Sequence, residues 1–105
     1  MAAVYSTQFL LVDSVGAGSY PLGTVPAGYV WVLRELDAYC TVTSASGCAL
    51  FEVTVGPVFF ATGARDAGLS VQWQGRAVFP AGQEPSFYVY DGNWSALVSG
   101  YVLSV

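Results

Sequence analysis

Short apolar runs separated by turn residues set the pattern of this chain. Runs rich in Val, Tyr, Phe, Trp, Thr and Leu are interrupted at 13–18, 21–28, 43–47, 56–57, 63–68, 80–85 and 91–93 by Gly, Pro, Asp, Asn and Ser. No stretch carries a sustained 3.6-residue period with helix caps, and twelve glycines count against long helices. The spacing predicts strands at about 3–12, 29–40, 48–55, 57–61, 69–79, 85–91 and 96–104, with a short extended piece at Tyr20-Pro21-Leu22. About seven or eight short strands with turns this frequent predict an all-β protein, an antiparallel β-sandwich forming one domain over 1–105.

The cleanest alternation lies in 69–79. Leu69, Val71, Trp73, Ala77 and Phe79 point one way, and Ser70, Gln72, Gln74 and Arg76 the other, which predicts a strand with one wet face. Strand 29–40 is different. One face carries Tyr29, Trp31, Leu33, Glu35, Asp37 and Tyr39, the other Val30, Val32, Arg34, Leu36, Ala38 and Cys40, so both faces are apolar in the first half. The last strand repeats this, with Leu97, Tyr101 and Leu103 on one face and Val98 and Val102 on the other. A two-sheet sandwich has one interior, so a strand apolar on both sides needs a further cover, and a partner chain is the simplest. Trp31, Leu33, Tyr39, Val98 and Tyr101 are the residues expected at such an oligomer interface.

Two copies of Pro-Ala-Gly, at 26–28 and 80–82, each precede a strand. Proline fixes φ and glycine tolerates positive φ, so each copy predicts a corner leading into one edge of the sandwich. The second follows the one-sided strand and is expected on the solvent-facing sheet.

Composition narrows the function. Apolar residues make up 54% of the chain and charged residues 10%, against a usual charged fraction of about a quarter. A small domain exposes much of its surface, so this deficit implies an exterior of Ser, Thr, Gln and Gly, or burial against other chains. A net charge of −4, with no lysine and only Arg34, Arg65 and Arg76, argues against nucleic acid, which needs a basic patch. No apolar run is long enough to span a bilayer, since 49–61 is broken by Glu52, Gly56 and Pro57. Met1-Ala2-Ala3-Val4-Tyr5 has no basic leader and no continuous apolar core, so synthesis in a cytoplasm is the default expectation.

Candidate chemistry is sparse. Without histidine or lysine there is no ready general base near neutral pH and no Schiff-base amine, so no catalytic residue, cofactor or metal is expected. Glu35 and Asp37, two apart on one strand face, could make a paired acid site or a cation ligand set, but the plainer reading is a solvated patch or the partner of an arginine across an interface. Arg34 and Arg76 are candidates for pairing with acidic groups of a neighbouring subunit. Cys40 and Cys48 flank a small-residue loop; they read as reduced thiols, with a disulfide across a hairpin as the alternative. Arg65 and Asp66 form a polar loop tip, and Asp91-Gly92-Asn93 reads as a hairpin turn beside Trp94. Trp94, Arg65 and Asp66 are thus candidate contacts for a ligand or partner, and exposed Trp94, Tyr88 or Tyr90 would serve a carbohydrate-binding module.

Several segments together carry a resemblance. An apolar-Pro-Ala-Gly corner leads into Trp31-Val32-Leu33-Arg34. Then come Trp73-Gln74-Gly75-Arg76-Ala77-Val78, Phe79-Pro80-Ala81-Gly82-Gln83-Glu84 and Val98-Ser99-Gly100-Tyr101-Val102-Leu103. This order resembles small tail or virion proteins of tailed bacteriophages, particularly siphophages of actinobacteria. The chain departs from that pattern at Ala81-Gly82-Gln83-Glu84, where the phage proteins have Pro-Gly-Glu, and in its cysteine pair. The resemblance implies a jelly-roll-like sandwich working in the virion as a symmetric oligomer, a homotrimer by preference, alongside other virion proteins. It implies a structural role as a minor tail or tail-fibre-associated protein, or as a capsid decoration or head-fibre protein, with a host cell-surface glycan as a further partner.

Overall fold

The β-branched and aromatic runs form eight strands. They are β1 (Val4–Val15), β2 (Gly18–Pro21), β3 (Tyr29–Cys40), β4 (Ala45–Glu52), β5 (Gly56–Arg65), β6 (Ser70–Pro80), β7 (Ser86–Val89) and β8 (Trp94–Ser104). The structure, a computed structural model, describes residues 4–40, 45–54, 56–65, 70–90 and 92–105. Every expected strand is present. The first runs on to Val15, the short extended piece is β2, and the strand expected at 57–61 extends to Arg65.

One sheet has the order β1-β8-β3-β6 and the other β2-β7-β4-β5. All ladders are antiparallel. The pairs β1–β8, β2–β7, β3–β6 and β4–β5 are those of one long hairpin, rolled so that β3 also meets β8 and β4 meets β7. This is a jelly-roll sandwich. Its topology corrects two local expectations. β7 and β8 lie in different sheets, so Gly92, at φ 72°, belongs to a crossing between layers and not to a hairpin. β3 and β4 also lie in different sheets, so Cys40 and Cys48 are not cross-strand partners; both are buried and no disulfide joins them.

Between the layers, Leu33, Leu36, Phe79, Trp94 and Val98 from one sheet meet Leu50, Phe87 and Val89 from the other. Two irregularities decide which side chains reach this interior. In β3 the register against β8 shifts between Leu33 and Glu35, leaving Arg34 as the extra residue of a bulge. Before it Trp31 and Leu33 face inward; after it Leu36, Ala38 and Cys40 do. A one-residue insertion swaps the faces of everything beyond it, and this gathers Leu36, Ala38 and Cys40 onto the inner face with Trp31 and Leu33, while Val30 and Val32 stay outward. In β1 the register shifts between Gln8 and Leu10, so Phe9 and Leu10 both pack on the core, with the Phe9 ring 5.0 Å from that of Trp31.

The two Pro-Ala-Gly segments are corners between layers, one from β2 to β3 and the other from β6 to β7. In each, the residue after glycine donates to the proline carbonyl, Tyr29 to Pro26 at 3.2 Å and Gln83 to Pro80 at 3.3 Å. Gly28 and Gly82 sit at φ 84° and 90°, the values a type II turn requires at its third position. The corners do not lie at separate edges. The Val25 N–H donates to the Gln83 carbonyl at 2.9 Å, and its own carbonyl accepts from the Gly82 N–H at 2.8 Å. Val25, 1% exposed, therefore plugs one end of the core with both turns tied across it.

Candidate interaction surface

Alternation along the ladders identifies the outer face of the β1-β8-β3-β6 sheet. Its rows read Leu11–Leu97–Asp37–Gln72 and Ser6–Tyr101–Val32–Val78, with Gln8–Ser99–Glu35–Gln74 between them and Leu103–Val30–Pro80 at the end. The two central strands thus carry apolar residues outward as well as inward, on either side of Ser99 and Glu35. Val32 has no exposed surface yet lies outside the core cluster, between Tyr101 and Val78 across the ladder. Leu11 is 68% exposed, Val78 49% and Tyr39 46%. The strand expected to be one-sided, β6, is the edge of this same sheet, so its polar row forms the rim of the apolar face. This corrects the separate solvent-facing sheet expected from sequence.

Two shallow clefts open on this face. One, of about 420 Å³, is lined by Leu11, Asp13, Asp37, Tyr39 and Gln72. The other, of about 520 Å³, is lined by Gln8, Arg34, Glu35, Ser99 and Tyr101 beside the two bulges. At the rim of the first, the Ser95 hydroxyl donates to Asp13 Oδ1 at 2.8 Å and accepts from the Ser14 N–H at 3.0 Å. These bonds hold Ser14 at its positive φ of 49°. Among the described residues, Arg34, Glu35, Asp37 and Arg76 make no ion pair within the chain.

The residues expected at an interface divide sharply. Tyr39 and Tyr101 lie on the outer face. Leu33 and Val98 are fully buried inside the chain's own core, and Trp31 packs inward on Phe9, so these three are corrected to core positions. Trp94 is corrected too: it is 0% exposed, opposite Cys40 and Val15, and has no surface to offer a ligand. Arg65 ends β5, while Asp66 and Asp91 lie outside the described residues. The outward residues that sequence reasoning passed over are Val30, Val32, Leu97, Leu103 and Val78. Their signal was the face of each strand opposite the one that proved to be core.

On the outside of the other sheet, Phe51, Tyr88 and Tyr90 form an aromatic row. Phe51 and Tyr88 are 6.1 Å apart at 78°, and Tyr88 and Tyr90 5.0 Å apart at 65°. Rings pitched edge to face satisfy one another's quadrupoles. Burial raises the Tyr90 phenol above its ordinary value, and the neighbouring Tyr88 and Cys48 add to the rise. Among the described residues no group of three or more acidic or cysteine side chains is placed to hold a metal ion, and no helix is long and apolar enough to cross a membrane.

The eight-strand order defines a jelly-roll β-sandwich whose β1-β8-β3-β6 sheet exposes Leu11, Tyr39 and Val78 on its outer face. The same fold is found in solved viral particles. Over 99% of its length the chain is similar to 31% of a chain in the T13 particle of infectious bursal disease virus, at 13% identity and a TM-score of 0.57. It is similar to the VP2 protein of that virus in derived T=1 particles, at 14% identity and a TM-score of 0.55, covering 98% of this chain and 32% of that one. The VP2 subviral particle gives 14% identity and a TM-score of 0.53, over 99% of this chain and 33% of that one. The chain thus spans about a third of the length of these proteins. The sequence matches no protein-family model and none of the curated proteins.

Proposed function

We propose that this chain is a non-enzymatic structural component of a virion, a minor tail or tail-fibre-associated protein of a tailed bacteriophage that assembles as a symmetric oligomer. The observation that carries the reading is the apolar outer face of the β1-β8-β3-β6 sheet, with Leu11, Tyr39 and Val78 about half exposed or more. A two-layer sandwich has no use for such a face, whereas a part of a larger assembly buries it. The jelly-roll topology shared with viral capsid proteins supports a virion setting, and the motif order from the first Pro-Ala-Gly corner to Leu103 supports a phage tail. A capsid decoration or head-fibre role on the same fold is the second reading.

The test is electron microscopy of purified phage particles in which this chain bears an epitope tag, decorated with gold-labelled antibody. Gold on the tail is the expected result. Gold on the head selects the decoration reading, and particles free of both label and chain refute a virion role.

A further inference from the structure

We infer that the outer face of the β1-β8-β3-β6 sheet is covered by the same face of a second copy of this chain, related by a two-fold axis. The inference rests on the assembly role proposed above and names the partner and the contact. Three features of the face support it.

First, the face carries apolar groups on both sides of a polar middle row: Leu97, Tyr101, Leu103 and Val30 on the central strands and the exposed Leu11 and Val78 on the edge strands flank Gln8–Ser99–Glu35–Gln74. Second, the size fits. Four strands at about 4.8 Å spacing, each about eleven residues at about 3.3 Å rise, cover about 700 Å². A stable complex takes about 800 Å² from each partner.

Third, the charge is self-complementary. The chain carries −4 overall, yet on β3 and β6 of this face Arg34 and Arg76 balance Glu35 and Asp37, none of them paired within the chain among the described residues. Arg34 and Glu35 sit side by side at the middle of the 12-residue β3. A two-fold axis through the centre of the sheet brings each Arg34 against the other copy's Glu35. It also lays the Val30–Leu103 end of one face on the Leu11–Leu97 end of the other. A three-fold ring needs two different complementary patches, whereas this face supplies its own complement.

The experiment is sedimentation analysis of the purified full chain across protein concentration, with circular dichroism to confirm that each variant folds. The expected wild-type species has twice the 11.1 kDa chain mass. Val78→Lys, at a position already 49% exposed, should raise the dimer dissociation constant at least about tenfold by leaving an unpaired charge in a desolvated patch. Arg34→Glu should weaken the dimer about threefold or more, with stronger effect at low salt, and the double variant Arg34→Glu/Glu35→Arg should restore it.

A wild-type monomer overturns the inference, and so does a trimer. A dimer unaffected by both single variants overturns it as well, because the contact then lies elsewhere. Loss of the dimer in Val78→Lys together with rescue by the charge swap supports it. Gold-labelled particles combined with a monomer in solution sink only the two-fold contact. A dimer in solution with no label on particles sinks only the virion role.

Discussion

Gly100 is the position where a single methyl group should do the most damage. It lies on β8 opposite Leu33, where β3 bulges at Arg34. A Cβ built on Gly100 falls 2.0 Å from the Val32 carbonyl oxygen and 3.0 Å from the Leu33 Cα, against 3.4 Å or more for ordinary contact. Both obstructing atoms are backbone, so no rotamer change relieves the clash. Gly100→Ala must push β8 away from β3 at the centre of the sheet. Forcing extra volume into a packed site costs about 1–3 kcal/mol. Each ladder bond lost beside it adds about 0.5–1.5 kcal/mol. Two such bonds bring the expected loss to about 2–6 kcal/mol, a large part of the roughly 5–15 kcal/mol that holds a domain folded.

Gly28→Ala is the matched control. Gly28 also has a demanding conformation, with φ at 84°, but a Cβ there meets nothing within 4 Å. Its cost is conformational only, about 1–2 kcal/mol. Urea unfolding followed by tryptophan fluorescence, at one fixed protein concentration, compares the two. If Gly100→Ala costs no more than Gly28→Ala, the close backbone approach is not what demands glycine at 100, and the reasoning fails.

Other expectations follow from burial and charge. Trp94→Ala should cost about 3–5 kcal/mol in the same urea curves, as a fully buried large side chain does; a loss under about 1 kcal/mol would contradict its place in the core. Cys40 and Cys48, both 0% exposed, should react with a thiol reagent only after denaturant is added, and rapid labelling in native buffer would show that they are accessible. The Tyr90 phenol is raised above 10.0 by burial first, then by Tyr88 and Cys48, so the unfolded chain ionises before the folded one. The stability tied to Tyr90 is complete below pH 10.0 and is lost as pH rises through the folded value. Tyr90→Phe should therefore flatten the alkaline loss of stability, and identical alkaline limbs for variant and wild type would refute this.

The strands were legible because their periodicity is local: β-branched and aromatic runs between glycine and proline turns need no knowledge of partners. Pairing was not legible, since β1 and β8 meet from opposite ends of the chain. That is why Trp94 could be offered as a ligand or partner contact. A tryptophan just after a turn looks exposed, yet here the turn crosses between layers and β8 runs directly between β1 and β3, so Trp94 starts its strand inside the core. Arg34 defeated the face assignment for a related reason. Nothing in Leu33-Arg34-Glu35 marks a bulge by composition; it shows only in the pairing, where β3 has one residue more than β8 between Leu33 and Glu35.

The bulge also tests the argument that a partner is needed. Had the surplus of apolar side chains been an artefact of unbroken alternation, placing the extra residue at Arg34 would have folded all of it inward. It takes in only one side of each strand: Trp31 and Leu33 turn to the core on β3, as Val98 does on β8. Val30, Val32, Leu97, Tyr101 and Leu103 remain outside, on the two central strands. There they are as far as possible from the sheet edges, where loops of this chain might have covered them. Val32 is already covered by its ladder neighbours, so the surface left for the proposed second copy to bury is that of the half-buried Val30, Leu97, Tyr101 and Leu103, with Arg34 and Glu35 between them.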